Sequence, residues 1–391
     1  MRRLVLLVSA IVLVDTMFYA VVAPLLPHYT DELGLSKAAA GVLAAAYGAG
    51  TLVGAVPAGA FAARFGARRT VLVGLALLGS SSLVFGFAEN IVVLDAARFL
   101  QGIGGACTWA GALTWLIEAA PPHRRGEMIG TALGAAIGGA LFGPVIGSVA
   151  EATAPQLVFG SVVFIAGALA AWVMTTPPPP PAAPQGFGVV GRAMRQPAVL
   201  GAMWLVTLPA AAFGVIGVLG PLRLDDLGGG SVVVGATFLV AAAVEAIISP
   251  LVGRLSDRRG RMLPIRAGLA GAAVLCVLFT VPDSTLLLAA LIVAVTAATG
   301  FFWAPAMALL SDAASARGVN QGFAFGLVNF AWATGQVTGS AGGGGLAKLT
   351  SDALVTGVVA AVALVTLAAV TVRDRRGRAV HATEASRGAV P

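Results

Sequence analysis

The chain of 391 residues is 58% hydrophobic and only 10% charged, with a formal net charge of +7. A soluble protein typically carries about 25% Asp, Glu, Lys and Arg, so this composition excludes a soluble globular fold. Apolar runs of roughly 20 residues recur along the chain instead, each long enough to cross a ~30 Å hydrocarbon layer as a helix.

In lipid every backbone polar group must be satisfied internally, which leaves helices or a closed barrel. The apolar runs are continuous rather than alternating, so the expectation is an all-α integral membrane protein. Twelve spans are predicted, at residues 5–27, 38–63, 70–88, 91–119, 126–149, 156–175, 197–222, 231–253, 263–281, 285–310, 318–345 and 351–372. The start, Arg2-Arg3 before an apolar run, imitates a signal peptide. It reads as a span because the run is too long, Asp15 interrupts it and no small-x-small cleavage site follows a short core. Cys107 and Cys276 lie far apart in apolar runs, and His28, His123 and His381 sit at span ends or in the tail. That pattern implies no disulfide framework, no metal site and no cofactor.

Lys37, Arg223 and Lys348 are the only Lys or Arg in one set of alternate loops, and Arg98 lies within a span. Every other Lys and Arg falls in the opposite loops or in the tails. The positive-inside rule then puts both termini in the cytoplasm, and an even number of spans agrees. The net charge is therefore a topology signal, with a bilayer rather than a nucleic acid as the partner. Between spans 6 and 7, "TTPPPPPAAPQGFG" from Thr175 to Gly188 favours an extended polyproline stretch. It divides the chain into a six-helix bundle at 1–175, a cytoplasmic linker at 176–196, a second six-helix bundle at 197–372 and a tail at 373–391.

The two halves repeat. Gly41 pairs with Gly235, Gly59 with Gly253, Arg64 with Arg258 and Gly66 with Gly260, the second member of each pair lying 194 positions after the first. Internal repeats in a polytopic chain point to a secondary transporter with its site near the midplane, between the repeats. The loops "GAFAARFGARR" (Gly59 to Arg69) and "GRLSDRRGRM" (Gly253 to Met262) resemble the Gly-x-Leu-Ala-Asp-Arg-x-Gly-Arg-Arg signature of the major facilitator superfamily. The resemblance implies gating loops at Gly59, Arg64, Gly66, Arg68, Arg69, Gly253, Asp257, Arg258, Gly260 and Arg261, with arginines that can meet carboxylates or helix ends of the opposite half. The first loop has Ala63 where the family usually has Asp, and the second keeps Asp257. "RFLQGIGGA", opening span 4 at Arg98, looks like a pattern of proton-driven members. Gly130, Gly139, Gly143, Pro144 and Gly147 of span 5 are similar to the antiporter signature of the drug-efflux branches. The starts of spans 1 and 10 further resemble the twelve-span drug:proton antiporters, including the branch with vesicular amine transporters. The resemblance covers essentially the whole chain and implies two pseudo-symmetric six-helix bundles.

Asp15 lies near the centre of span 1 and Glu245 near the centre of span 8, in opposite halves. An ionised acid there costs about 2.5–3.5 kcal/mol on insertion scales, so each needs a wet cavity, a partner such as Arg98, or a proton. The alternative for each is a structural hydrogen bond between helices. Phe18 and Tyr19 follow Asp15 by three and four residues and share its face. Trp109 lies three turns beyond Arg98 on nearly the same face. Asn329, Trp332 and Gln336 recur at helical spacing in span 11, and Trp303 adds aromatic area in span 10. Carboxylates among aromatics make a cage for a lipophilic cation; the alternative is that these aromatics face lipid or the interface.

The resulting expectation is no enzyme but a monomeric transporter in the bacterial inner membrane, exporting a hydrophobic cationic small molecule in exchange for protons by alternating access. Asp15, Glu245 and Arg98 would couple protons. Asp15, Phe18, Tyr19, Trp109, Glu245, Trp303, Asn329, Trp332 and Gln336 would bind substrate. Export of a neutral solute such as a sugar or neutral drug is the competing transporter reading. A membrane receptor or integral-membrane enzyme ranks lower, because the chain carries no soluble sensory domain, nucleotide loop or His/Cys cluster.

Overall fold

A computed structural model describes residues 1–119, 125–177, 186–319 and 321–387, and among them it contains helices and no strand. In the first half, α1 (Arg2–Ala20) and α2 (Val22–Leu33) form one span. α3 (Lys37–Phe65), α4 (Ala67–Gly86), α5 (Ile91–Ala119), α6 (Arg125–Ala152) and α7 (Pro155–Thr175) follow. After the short α8 (Phe187–Met194), the second half runs through α9 (Pro197–Asp226), α10 (Gly230–Arg259), α11 (Met262–Leu278) and α12 (Thr285–Ser315). α13 (Gln321–Val337), a π-helical turn (Thr338–Gly342) and α14 (Gly343–Leu349) make one more span, and α15 (Asp352–Arg387) is the last.

Two expectations change. The connecting segment is not extended throughout, because Phe187–Met194 is helical; most of the polyproline run, 178–185, lies outside the described residues. The tail from 373 is not separate, because α15 continues to Arg387.

The repeat is visible in the backbone. Gly66, between α3 and α4, has φ +87 and ψ 152; Gly260, between α10 and α11, has φ +83 and ψ 154. Both are in a region that a side chain disfavours, which is why glycine recurs at these equivalent turns. α3 and α10 also end 194 positions apart, as α5 and α12 begin.

Large apolar side chains cover the outside, including Leu286 at 80% exposure and Phe164 at 79%. A patch of this extent is the surface a bilayer solvates.

The two halves meet unequally. One apolar core runs through the first half and into the second at the end away from the chain termini, joining Leu25 and Leu43 to Leu219, Ile292 and Val355. At the end near the termini the second half keeps its own core, around Val206, Leu269, Phe302 and Leu310. The far end is further closed by the Lys37 Nζ–Asp352 ion pair at 2.8 Å, by Ser148 Oγ donating to the Ser231 carbonyl at 3.2 Å, and by Ser231 Oγ donating to Glu151. Gly41 and Gly344 meet there with no room for a Cβ on either. The molecule is thus sealed at the far end, with a space between the halves on the other side.

Candidate functional site

Asp15 is buried where α1, α3 and α5 meet. Its Oδ2 accepts from the Tyr47 hydroxyl and from Trp109 Nε1, both at 2.9 Å. Its Oδ1 is buried without a partner. Gly105, one turn before Trp109, makes the space: a Cβ there would lie 3.1 Å from Oδ1 and collide with the Tyr47 hydroxyl.

Arg98 is 1% exposed and does not pair with Asp15. Its guanidinium donates to the carbonyls of Phe18 at 2.9 Å and Tyr19 at 3.0 Å, and to Gln101 Oε1 at 2.8 Å. Gln101 in turn donates to Ser82 Oγ at 2.8 Å. The acceptors lie just before Val21, where α1 gives way to α2. Pro24 has no N–H for the Ala20 carbonyl and crowds it, which accounts for the interruption. The guanidinium fork holds the carbonyls beside the break with charge-assisted bonds. Tyr47 stands between the charges, since Arg98 Cζ also lies 5.1 Å above its ring.

Aromatic rings carry this cluster across to the second half. Tyr19 lies 5.0 Å from the Tyr47 ring and 5.3 Å, edge-on, from Trp332 of α13. Trp109 faces two ways: its indole N–H holds Asp15, while its ring lines a cavity of ≈ 90 Å³ between the halves. Asn329, Phe323 and Phe330 of α13, Gly59 of α3 and Met194 of α8 line the same cavity. Gln336 lies one turn beyond Trp332, buried against Gly48, with Oε1 unpartnered.

Other expected site residues lie elsewhere. Phe18 points into the first half and packs on Phe159 at 6.1 Å, because the turn that brings it near Asp15 in sequence aims it at α7. Glu245 is half-buried against Gly300, whose Cβ would come 3.5 Å from Glu245 Cγ, and it has no hydrogen bond or ion pair with a described residue. Trp303 meets Phe213 edge-on at 6.4 Å. Neither Glu245 nor Trp303 lines the cavity.

The glycines of α6 position α1. Gly139, Gly143 and Gly147 press against the backbone around Leu13, Met17 and Val21, where no side chain fits. The Pro144 carbonyl approaches Gly235 of α10, and Gly130 lies in the first turns of α6. The loop arginines find partners within their own halves. Arg68 donates to the Met174 carbonyl at the end of α7, and Arg261 pairs with Asp312 at 2.7 Å. Arg64 lies over Phe65 at 5.4 Å, Arg69 and Arg258 make no hydrogen bond or ion pair with a described residue, and a Cβ on Gly253 would meet nothing within 4 Å. The side chains of Ala63 and Asp257 lie outside the described residues.

Tyr47, Gln101, Ser82 and Gly105 were not anticipated. Tyr47 had a signal: it is one of three tyrosines, set in "AAAYGAG" in the middle of a span. A tyrosine hydroxyl at that depth needs a partner.

The Major Facilitator Superfamily profile matches residues 8–323 and, overlapping, 212–391. The chain belongs to this superfamily. A 4-hydroxybenzoate transporter, PcaK of Pseudomonas putida, is 34% identical over 128 residues, 32% of this chain and 28% of that protein. A probable vesicular acetylcholine transporter-B of Danio rerio is 39% identical over 114 residues, 27% and 23% of the two chains. The quinolone resistance protein NorA of Staphylococcus aureus (strain MRSA252) is 27% identical over 109 residues, 28% of each. The matched stretch therefore spans about a quarter of the length of these relatives. Over the whole fold, the chain is similar to a D-xylose-proton symporter, with TM-score 0.73, 16% identity and coverage of 93% and 96%. It is also similar to a bacterial homolog of the human lysosomal transporter Spinster, with TM-score 0.73, 14% identity and 94% coverage of each chain.

Proposed function

We propose that this transporter exports a hydrophobic, cationic small molecule in exchange for protons. It works as a monomer in a bacterial cytoplasmic membrane with both termini in the cytoplasm. The observation that carries the reading is the double role of Trp109, which closes over Asp15 with its N–H and faces the inter-half cavity with its ring. A lipophilic cation entering from the termini side meets aromatic faces first. Displacing the indole frees one acceptor position on Asp15 and opens the carboxylate to the cavity. An ionised Asp15 then attracts the cation. A proton on Oδ1, the oxygen without a donor, removes that attraction and favours release. The two events exclude each other at one carboxylate, which is the requirement for exchange. Tyr19 and Trp332 meet across the seam, so rocking of the halves must change their contact and with it the packing on Tyr47. Glu245, alone against Gly300, supplies the second half with a titratable group of its own.

Transport in proteoliposomes under an imposed pH gradient tests this, with ethidium as the cationic probe. Asp15→Asn keeps shape and hydrogen bonding but loses titration. It should fold, reach the membrane and fail to concentrate ethidium. If Glu245 selects cations, Glu245→Gln should lose them while retaining neutral compounds; if Glu245 carries the proton, the phenotypes of Asp15→Asn and Glu245→Gln should exchange. Full gradient-driven transport in both variants and in the double variant removes carboxylate titration from the mechanism. Cysteines at Gln185 and Ala385 should react with an impermeant reagent only in opened cells; labelling in intact cells reverses the orientation.

Export of a neutral solute is the second reading. It is favoured by the cavity wall, whose lining residues among those described include no charged side chain. Gradient-driven uptake of neutral compounds with indifference to ethidium would select it.

A further inference from the structure

The face away from the termini is poor in basic residues, and Lys37, Arg223 and Lys348 are the only Lys or Arg in its loops. They come from three distant parts of the chain, α3, α9 and α14. All three nevertheless line one open cleft, together with Thr280, Thr350 and Asp352. Topology alone, which requires few cations on this face, does not require those few to converge.

The lining of the cleft holds more cations than carboxylates. Lys37 is engaged by Asp352, at 2.8 and 2.9 Å from its two carboxylate oxygens. Arg223 is held by neutral acceptors, the Thr280 carbonyl at 2.7 Å and the Pro282 carbonyl at 3.3 Å, and its buried Nε has no partner. Lys348 is exposed and has no partner among the described residues. Among the residues that line the cleft, three cations thus face one carboxylate, Asp225 and Asp226 following Arg223 outside that lining, and α15 begins at the cleft with the partial positive charge of its first turn.

We infer that this cleft is an anion site for a phosphate group at the membrane surface, either the headgroup of an anionic phospholipid or a free phosphate. Lys37 belongs to the first half, and Arg223 and Lys348 to the second. A bound phosphate therefore ties the halves together at the end already closed in this structure. Because it bridges groups that separate when that end opens, it stabilises the closed state by its differential affinity. The site is independent of what the transporter carries.

The test uses the full-length protein in nanodiscs of phosphatidylcholine alone or with phosphatidylglycerol, and in phosphatidylcholine nanodiscs with added glycerol phosphate. Bound lipid is counted by native mass spectrometry and stability is followed by thermal unfolding. Lys348→Gln removes the unengaged cation without touching the Lys37–Asp352 pair. It should weaken anion binding about fivefold, and Lys348→Arg should restore it. A phosphatidylglycerol-dependent rise in midpoint, lost in Lys348→Gln, supports the site with a lipid occupant. The same rise with glycerol phosphate supports it with a soluble one. No rise with either, or a rise unchanged in Lys348→Gln, overturns the inference.

Discussion

Tyr47 joins Asp15 to Arg98 without letting them touch: its hydroxyl donates to Asp15 Oδ2 at 2.9 Å, and its ring lies 5.1 Å beneath the Arg98 guanidinium carbon. The acid therefore takes its hydrogen bond from a neutral donor, and the Arg98 charge acts on it from across the Tyr47 ring rather than by direct contact. Tyr47→Phe tests this link. Loss of a buried hydrogen bond should cost about 1–3 kcal/mol of stability, since Asp15 is left with Trp109 alone. In the proposed cycle the variant should still bind ethidium but accumulate it less steeply as the pH gradient grows. An unchanged dependence on the gradient would leave Tyr47 a packing residue.

Arg98 serves as a clamp on the break in span 1. Its fork reaches two backbone carbonyls and Gln101 at once. A lysine is a point charge on a flexible stem and does not reproduce that planar geometry. Arg98→Lys should lose at least one charge-assisted bond, about 1.5–3 kcal/mol, read as a lower unfolding midpoint. Hydrogen exchange should rise first in residues 18–24. Wild-type protection there would show that the α1–α2 break holds itself.

The contact of α6 with α1 admits no side chain at Gly143, where a Cβ would meet Met17 and Ala20. Gly143→Leu should therefore push α1 away from α6 and carry Asp15 from its partners on α3 and α5. The expected result is an inserted protein with less Trp109 fluorescence change on ethidium binding, in a background where the other five tryptophans are replaced by phenylalanine. Gly138 is the matched control, because a Cβ there meets only Leu13 at ordinary contact distance of 3.7 Å. If Gly143→Leu and Gly138→Leu behave alike, close approach at Gly143 is not required.

The Lys37–Asp352 pair spans the halves at the closed end, with the lysine side chain 36% exposed and the aspartate 11%. A partly exposed pair is worth about 0.2–1 kcal/mol, which shifts a two-state balance by up to about fivefold. Lys37→Gln should raise the reactivity of a cysteine at Gln336 toward an impermeant reagent applied from the far side. Lys37→Asp combined with Asp352→Lys should recover part of the closure. Only part is expected, because a lysine in the first turn of α15 opposes the helix dipole. Equal reactivity in all variants would place closure in the glycine contacts of Gly41 and Gly344 instead.

Sequence alone determined the fold class, because continuous apolar runs of membrane length leave the backbone one economical solution, and the 194-residue offset between Gly66 and Gly260 exposed the repeat that the equal dihedrals display. Asp15 was legible for the same reason: a carboxylate at mid-span is conspicuous against an apolar background. Its surroundings were not legible. Tyr47 and Trp109 reach it from helices 32 and 94 residues away, and helical periodicity fixes a face only relative to its own axis. Periodicity therefore put Phe18 beside Asp15, whereas packing on Phe159 turned it into the first half's core. It also offered Arg98 as an ion-pair partner, whereas the break at Val21 supplied carbonyls that claimed the guanidinium first. The convergence of Lys37, Arg223 and Lys348 likewise belongs to tertiary structure, since charge counts along a chain assign a side of the membrane and not a place on it.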